Sequence, residues 1–301
     1  MADLLILTHD DCLGHDMGEG HPECPDRLRA AWAAIGDRPR EAAPRATAEQ
    51  LARVHPAAYV EAILAIRPEG CDRVALDADT IMSAGSAEAA LRAAGAGVRA
   101  VEAVCGGQHR AAFCATRPPG HHAEPARPMG FCLFSNVVVA ARHAQAACGV
   151  TRVAILDFDV HHGNGTQACV EADPSILFIS SHQMPCYPGT GGAAETGVGN
   201  VMNLPLRPGA GGAAFRAAWE AALPRVTGFD PGLVIISAGF DAHVRDPLAQ
   251  LRLDEADFAW VTRAILAAAP GVPVVSMLEG GYDLQALEAS VAVHLTALET
   301  A

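Results

Sequence analysis

Four short clusters in this sequence carry residue types that are costly to bury and so ask for a chemical reason. The first is Asp157-Phe158-Asp159-Val160-His161-His162-Gly163-Asn164. It follows an apolar run, and alternate residues of an extended chain share a face, so Asp157, Asp159 and His161 are expected to project together. Two carboxylates and an imidazole on one side of a buried strand are unfavourable unless paired, and a cation resolves that. The second cluster is Ser237-Ala238-Gly239-Phe240-Asp241-Ala242-His243. Asp241 alone reads equally as a helix cap or turn residue. Placed on the same sheet edge as Asp159 and His161, it completes an Asp/His/Asp set, and three protein ligands with an open fourth position is the pattern of a catalytic zinc site. His243 is less clear, with a structural role as its simple reading.

The third cluster, Arg117-Pro118-Pro119-Gly120-His121-His122, holds tandem histidines in a Pro/Gly-constrained loop. A lone His is more often a satisfied core residue, whereas two in sequence after rigid prolines suggest positioned acid/base groups. The fourth is Leu278-Glu279-Gly280-Gly281-Tyr282. Its glycines let backbone approach a ligand closely. The Tyr282 hydroxyl is either a donor to a developing oxyanion or part of an ordinary packed aromatic.

The elements that position these clusters follow from hydrophobic periodicity. Continuous apolar runs at 4–8, 111–115, 152–158, 176–180, 233–237 and 273–278 suit strands buried on both faces. Amphipathic stretches at 25–35, 86–104, 135–148, 212–226, 255–268 and 284–298 suit helices, with Pro25 an early helical residue. Such alternation predicts a parallel sheet with helices on both faces. The clusters lie just after strands, where open α/β sheets bind ligands. Gly/Pro-rich stretches at 117–130, 185–199 and 207–212 read as loops of a single domain spanning 1–301, since no repeat or linker divides the chain.

Composition narrows the function classes. The formal net charge is −13, from 34 acidic and 21 basic residues, which repels phosphate backbones and leans toward a cationic partner. Nine cysteines without a CxxC pair predict no disulfide framework and a reducing compartment. The N-terminus has no basic segment ahead of a signal-length apolar run, and no stretch reaches membrane-span length. The expectation is a cytoplasmic protein with no direct nucleic-acid or membrane partner and an unspecified oligomeric state.

Taken together, the four motifs resemble the histone deacetylase family, nearer its class II and bacterial acetylpolyamine amidohydrolase branches. The similarity runs from His21-Pro22-Glu23-Cys24-Pro25-Asp26-Arg27 to Glu279-Gly280-Gly281-Tyr282 and includes Gly130-Phe131-Cys132 and Tyr187-Pro188-Gly189-Thr190-Gly191. The resemblance implies the arginase/deacetylase fold, a single α/β domain with an eight-stranded, mainly parallel sheet. It implies one zinc ion on Asp159, His161 and Asp241, with a structural potassium near Asp157 and Ser180. It implies His122 as general base beside His121, Asn164 supporting His122, Asp157 paired with His121, and Tyr282 polarising the scissile carbonyl. Phe131 and Tyr187 would wall the acyl channel, the Gly130 carbonyl would face the substrate nitrogen, and Leu248 and Gly280 complete the substrate set.

The implied activity is removal of an acyl group, acetyl foremost, from an amine nitrogen. Leu248 stands where the polyamine-selective eukaryotic member has Glu, which leans toward a lysine-like substrate; an acetylpolyamine amidohydrolase and a non-catalytic acyl-amine sensor are the alternatives. Tyr282, where weakly active class IIa enzymes have His, favours a competent enzyme. A ureohydrolase of the same fold needs a second metal. Gly163 and His243 stand where its extra carboxylates would fall.

Overall fold

The structure is a computed structural model that describes residues 4–300; the N-terminal Met-Ala-Asp and the last residue of the expected domain lie outside the described residues. In chain order it runs β1 (Leu4–Thr8), α1 (Pro25–Ile35), β2 (Glu41–Ala42), α2 (Ala48–Ala52), α3 (Ala57–Ala65), β3 (Val74–Ala75), β4 (Ile81–Met82), α4 (Ser86–Cys105) and β5 (Ala111–Cys114). It continues α5 (Asn136–Ala147), β6 (Val153–Asp157), α6 (Asn164–Val170), β7 (Ile176–Gln183), β8 (Val201–Leu206), α7 (Gly212–Phe229), β9 (Leu233–Ala238), α8 (Glu255–Ala268), β10 (Val274–Leu278) and α9 (Leu284–Leu298).

Eight strands form one sheet in the order β2-β1-β5-β10-β9-β6-β7-β8. Every pairing in it is parallel, so the expectation of a mainly parallel sheet is exceeded. Successive side chains of each strand enter opposite cores. Ala154 and Leu156 pack with Leu28, Trp219, Phe258 and Leu287 of α1, α7, α8 and α9. Val153 and Ile155 face the other way, onto Ala100, Val104, Val137 and Ala141 of α4 and α5. Continuous burial on both faces is why these strands read as unbroken apolar runs.

The apolar runs marked the central strands, and the ends of α1, α8 and α9 fall where periodicity put them. The run at 176–180 extends to Gln183, paired with β8. β8 itself was not expected: it is an edge strand carrying Asn203 and Pro205, so it lacks a continuous apolar signature. The short β2, the β3–β4 hairpin and the helices α2, α3 and α6 also lack a long period. α2 and α3 cover a third, smaller core against α4. All nine cysteines are free thiols, and no described helix is long and apolar enough to cross a membrane.

His294 of α9 is fully buried between the hydroxyls of Thr262 (2.7 Å) and Ser276 (2.8 Å). Burial pushes its pKa down to about 3. The unfolded chain therefore binds a proton near pH 6.5 that the folded chain refuses, so stability falls as pH drops below 6.5. His294 is expected to contribute about 1.5 kcal/mol of that loss between pH 6.5 and 5. Urea unfolding of His294→Gln should show a correspondingly shallower acid dependence; an unchanged dependence would remove His294 from the account.

Candidate active site

The sheet order explains the site before any side chain is considered. The four clusters follow β5, β10, β9 and β6, which are adjacent in the sheet although far apart in the chain. Parallel strands send all four loops out of the same edge.

β6 stops at Asp157, so Asp159 and His161 lie on a loop rather than alternating along a strand as expected. Carboxylates shape that loop by accepting from its backbone. Asp157 Oδ1 accepts from Asp159 N (3.0 Å), Asp159 Oδ1 from His161 N (2.9 Å) and Asp241 Oδ1 from Val160 N (2.8 Å). The outcome is still convergence: ligand atoms of Asp159, His161 and Asp241 all lie within 4.8 Å of one another, and all three residues are buried. His161 Nδ1 lies 3.2 Å from Asp159 Oδ1 and 3.1 Å from Asp241 Oδ2. Burial and the neighbouring charge of Asp159 push the Asp241 carboxyl above its ordinary range. Two buried carboxylates and an imidazole gathered on one point fit a divalent cation, which relieves that repulsion.

Gly280 N donates to Asp159 Oδ2 (2.8 Å), and a Cβ at position 280 would collide with the Asp241 carboxylate. Gly280 thus packs against the Asp159 and Asp241 carboxylates and is not among the residues lining the adjacent cavity. Asp157 and Ser180 are partners across β6 and β7, which brings the two residues expected near potassium side by side. Ser180 Oγ contacts His182 Nδ1 at 3.0 Å.

The tandem histidines sit in opposite environments. His121 Nδ1 lies 3.0 Å from Asp157 Oδ2, and although burial opposes the charged form, Asp159 and Asp157 raise its pKa to about 10. His122 is lowered well below 6.5 by burial and by the neighbouring imidazoles of His121 and His161. Its Nδ1 donates to Asn164 Oδ1 (2.8 Å), leaving Nε2 as the free acceptor, while Asn164 Nδ2 donates to Glu124 Oε1 (2.9 Å). The amide orientation follows from that network. Burial and charge thus push the two adjacent imidazoles in opposite directions.

Gly130 and Phe131 both have positive φ, 56° and 69°. A side chain at 130 would strike the His122 ring. For Phe131 the left-handed backbone is a strain of order 1–3 kcal/mol, the kind retained where it aims a functional side chain. Phe131, His122, His161, Tyr187, Leu248, Tyr282, Gly130 and Asp79 enclose a cavity of about 200 Å³. The Tyr187 ring stands edge-on to His122 at 5.1 Å, and the Phe131 ring edge-on to Tyr282 at 5.9 Å. The Gly130 carbonyl accepts from the Cys132 thiol at 3.2 Å. His243 accepts from Arg245 N, forms a bridge with Leu253 and is not among the residues lining the cavity.

Residue-type reasoning missed the acids that hold these loops. Glu279 Oε2 accepts from the N–H groups of Gly120 (2.7 Å) and His121 (3.2 Å), clasping the tandem-histidine loop. Glu23 is fully buried with Arg27 and Arg117, both ion-paired to it. Arg27 also donates to the carbonyls of Glu279 (2.5 Å) and Gly281 (2.6 Å) and lies 4.7 Å from the Tyr282 ring centroid. Glu23 and Arg27 belong to the first family-like segment and Arg117 to the tandem-histidine one, which was the available signal. Asp79 had none, since it reaches the cavity from the loop between β3 and β4.

Comparison with known proteins agrees with this geometry. A family model described as the histone deacetylase domain matches residues 21–298. Histone deacetylase 14, chloroplastic, from Arabidopsis thaliana is 39% identical over 98% of this chain and 76% of its own length. A histone deacetylase-like amidohydrolase from Pseudomonas aeruginosa is 41% identical over 88% of this chain and 73% of its own. The crystal structure of the HDA15 HD domain superposes with a TM-score of 0.93 at 35% identity, covering 99% of this chain and 88% of that one. The chain belongs to the histone deacetylase family and is a hydrolase of the deacetylase/amidohydrolase type.

Proposed function

We propose that this chain is a zinc-dependent deacetylase that removes a short acyl group, acetyl foremost, from an amine on a lysine-like stem. The observation that carries the reading is the buried Asp159/His161/Asp241 set beside a cavity lined by both a neutral imidazole and a phenol. When bound there, the cation supplies Lewis acidity to a carbonyl oxygen and makes a water more acidic. His122 Nε2 takes the proton of the attacking water and delivers it to the departing amine. Asn164, a neutral partner, holds the tautomer without adding a charge that would make the ring more basic. The Tyr282 hydroxyl, kept protonated because burial pushes its pKa well above 10, donates to the carbonyl oxygen as charge builds on it.

Phe131 and Tyr187 flank the substrate stem, and the Gly130 carbonyl offers an acceptor for the substrate N–H. A cavity of about 200 Å³ is smaller than the roughly 300–1,000 Å³ of drug-sized sites, which suits a short acyl group. Leu248 offers a distal ammonium no partner where a Glu would, which leans toward a lysine-like substrate, while Asp79 is the carboxylate on the same wall that either amine would meet. Potassium at Asp157 and Ser180 and a cytoplasmic, reducing location for the nine free thiols are part of the same proposal.

The test is a screen of acetylated and longer-acylated lysine peptides, acetylpolyamines and small amides with zinc-loaded protein, before and after chelation. Acetyl-lysine turnover that is lost with the metal and restored by zinc is expected. One bound ion per chain with no turnover of any acylated amine would overturn the reading in favour of a binding protein.

A further inference from the structure

Tyr282 follows two glycines, and Gly281 has φ 121°, so the local backbone does little to fix where the phenol points. Its direction has to be imposed from outside the loop. Arg27 does part of this, holding the Gly281 carbonyl at 2.6 Å with its guanidinium beside the ring. Beyond Arg27 and the edge contact with Phe131, Tyr282 is held through its own N–H, which donates to Asp246 Oδ2 at 2.7 Å. The other oxygen of the same carboxylate accepts from Leu248 N at 2.9 Å. Asp246 is itself anchored, its N–H donating to the His243 carbonyl at 2.9 Å, and it is 7% exposed. It sits on the loop after β9 and Tyr282 on the loop after β10, neighbouring strands of the sheet. Leu248 and Tyr282 both line the cavity.

We propose that Asp246 is a positioning residue that holds the oxyanion donor Tyr282 and the wall residue Leu248 in one fixed relation through their backbone N–H groups. The inference rests on the reading of Tyr282 given above. Only a carboxylate serves, because two N–H donors converge on two oxygens. An amide of the same size would turn an NH₂ group toward one of the donors. Neither N–H belongs to a helix or strand, so a lost acceptor frees the loop locally while the sheet stays intact.

The test is a cycle of four proteins: wild type, Asp246→Asn, Tyr282→Phe and the double variant. Each is measured for kcat and KM on an acetyl-lysine peptide, bound metal and Tm. A misplaced donor is expected to lower kcat in Asp246→Asn roughly 10- to 100-fold with metal content unchanged. In the Tyr282→Phe background the same change should cost less than about threefold in kcat, because the hydroxyl it positions is gone and the remaining shift of the Leu248 wall is read in KM. Equal losses in both backgrounds, or none in either, would overturn the inference. If Tyr282→Phe alone keeps its turnover, the Tyr282 reading fails and this inference with it. If Tyr282→Phe is impaired and Asp246→Asn is not, only this inference fails. Should Asp246→Asn not fold, Asp246→Ser, which leaves room for a bridging water, takes its place in the cycle with the same outcomes.

Discussion

Tyr282→Phe is expected to fold, retain its metal affinity and lose roughly two to three orders of magnitude in kcat, the effect of deleting one preorganised oxyanion donor. The ring keeps its surroundings in the variant: the edge contact with Phe131 and the Arg27 guanidinium beside it involve no hydroxyl. Its backbone N–H still reaches Asp246. The substitution therefore removes an O–H and little else. Donors of this kind are worth about 2.7–4 kcal/mol in the barrier because they sit preoriented in a site of low dielectric. Steady-state kinetics with metal analysis on the same samples decides the matter. Turnover within about threefold of wild type, less than 1 kcal/mol in the barrier, would remove Tyr282 from the chemistry.

Glu23→Gln should destabilise the protein by about 3–5 kcal/mol, the range for removing one partner of a buried ion pair. Glu23 is paired with two guanidiniums, Arg27 and Arg117, and all three side chains are fully buried. Burial by itself would raise the Glu23 carboxyl, yet the charge of Arg117 and the partnership of His15 hold it well below the usual carboxylate range. Neutralising it strands two cations that have no route to water. The damage should also reach the site, because Arg27 holds the Glu279 and Gly281 carbonyls, and Arg117 the carbonyls of Cys12 (3.0 Å) and His15 (3.1 Å). Urea unfolding of the variant measures the loss. A change below about 1 kcal/mol, the scale of an exposed pair, would show that the network is not what locks these three segments together.

How far the site could be read in advance depended on the residue. Asp159, His161 and Asp241 were legible as a set, because two carboxylates and an imidazole after neighbouring buried strands are costly to gather without a cation, although Asp241 alone was not. Their convergence was expected for a partly wrong reason: β6 ends before Asp159, and backbone N–H bonds to carboxylates turn the loop. His121 and His122 were legible as a pair, but nothing in a tandem imidazole says which member is charged. That follows from Asp159 and Asp157 lying against His121, whereas His122 is buried beside the imidazoles of His121 and His161. Glu279, Asp246 and Glu23 were passed over because they act through backbone amides or buried guanidiniums. An acid in a loop has many ordinary roles, and only coordinates show which donors it meets.

By itself, then, the sequence determined the alternation of buried strands and amphipathic helices, the Asp/His/Asp residue types that could hold a metal and the family resemblance, because periodicity and side-chain chemistry are local properties of the chain. Tertiary structure decided the strand order that sets β5, β10, β9 and β6 side by side, the opposite pKa shifts of the two histidines and the acids that hold the loops. Those depend on contacts between segments 36 to 254 residues apart, such as His121 with Asp157, Gly280 with Asp159 and Arg27 with Gly281. No local pattern encodes such distances; they exist only once the sheet has closed.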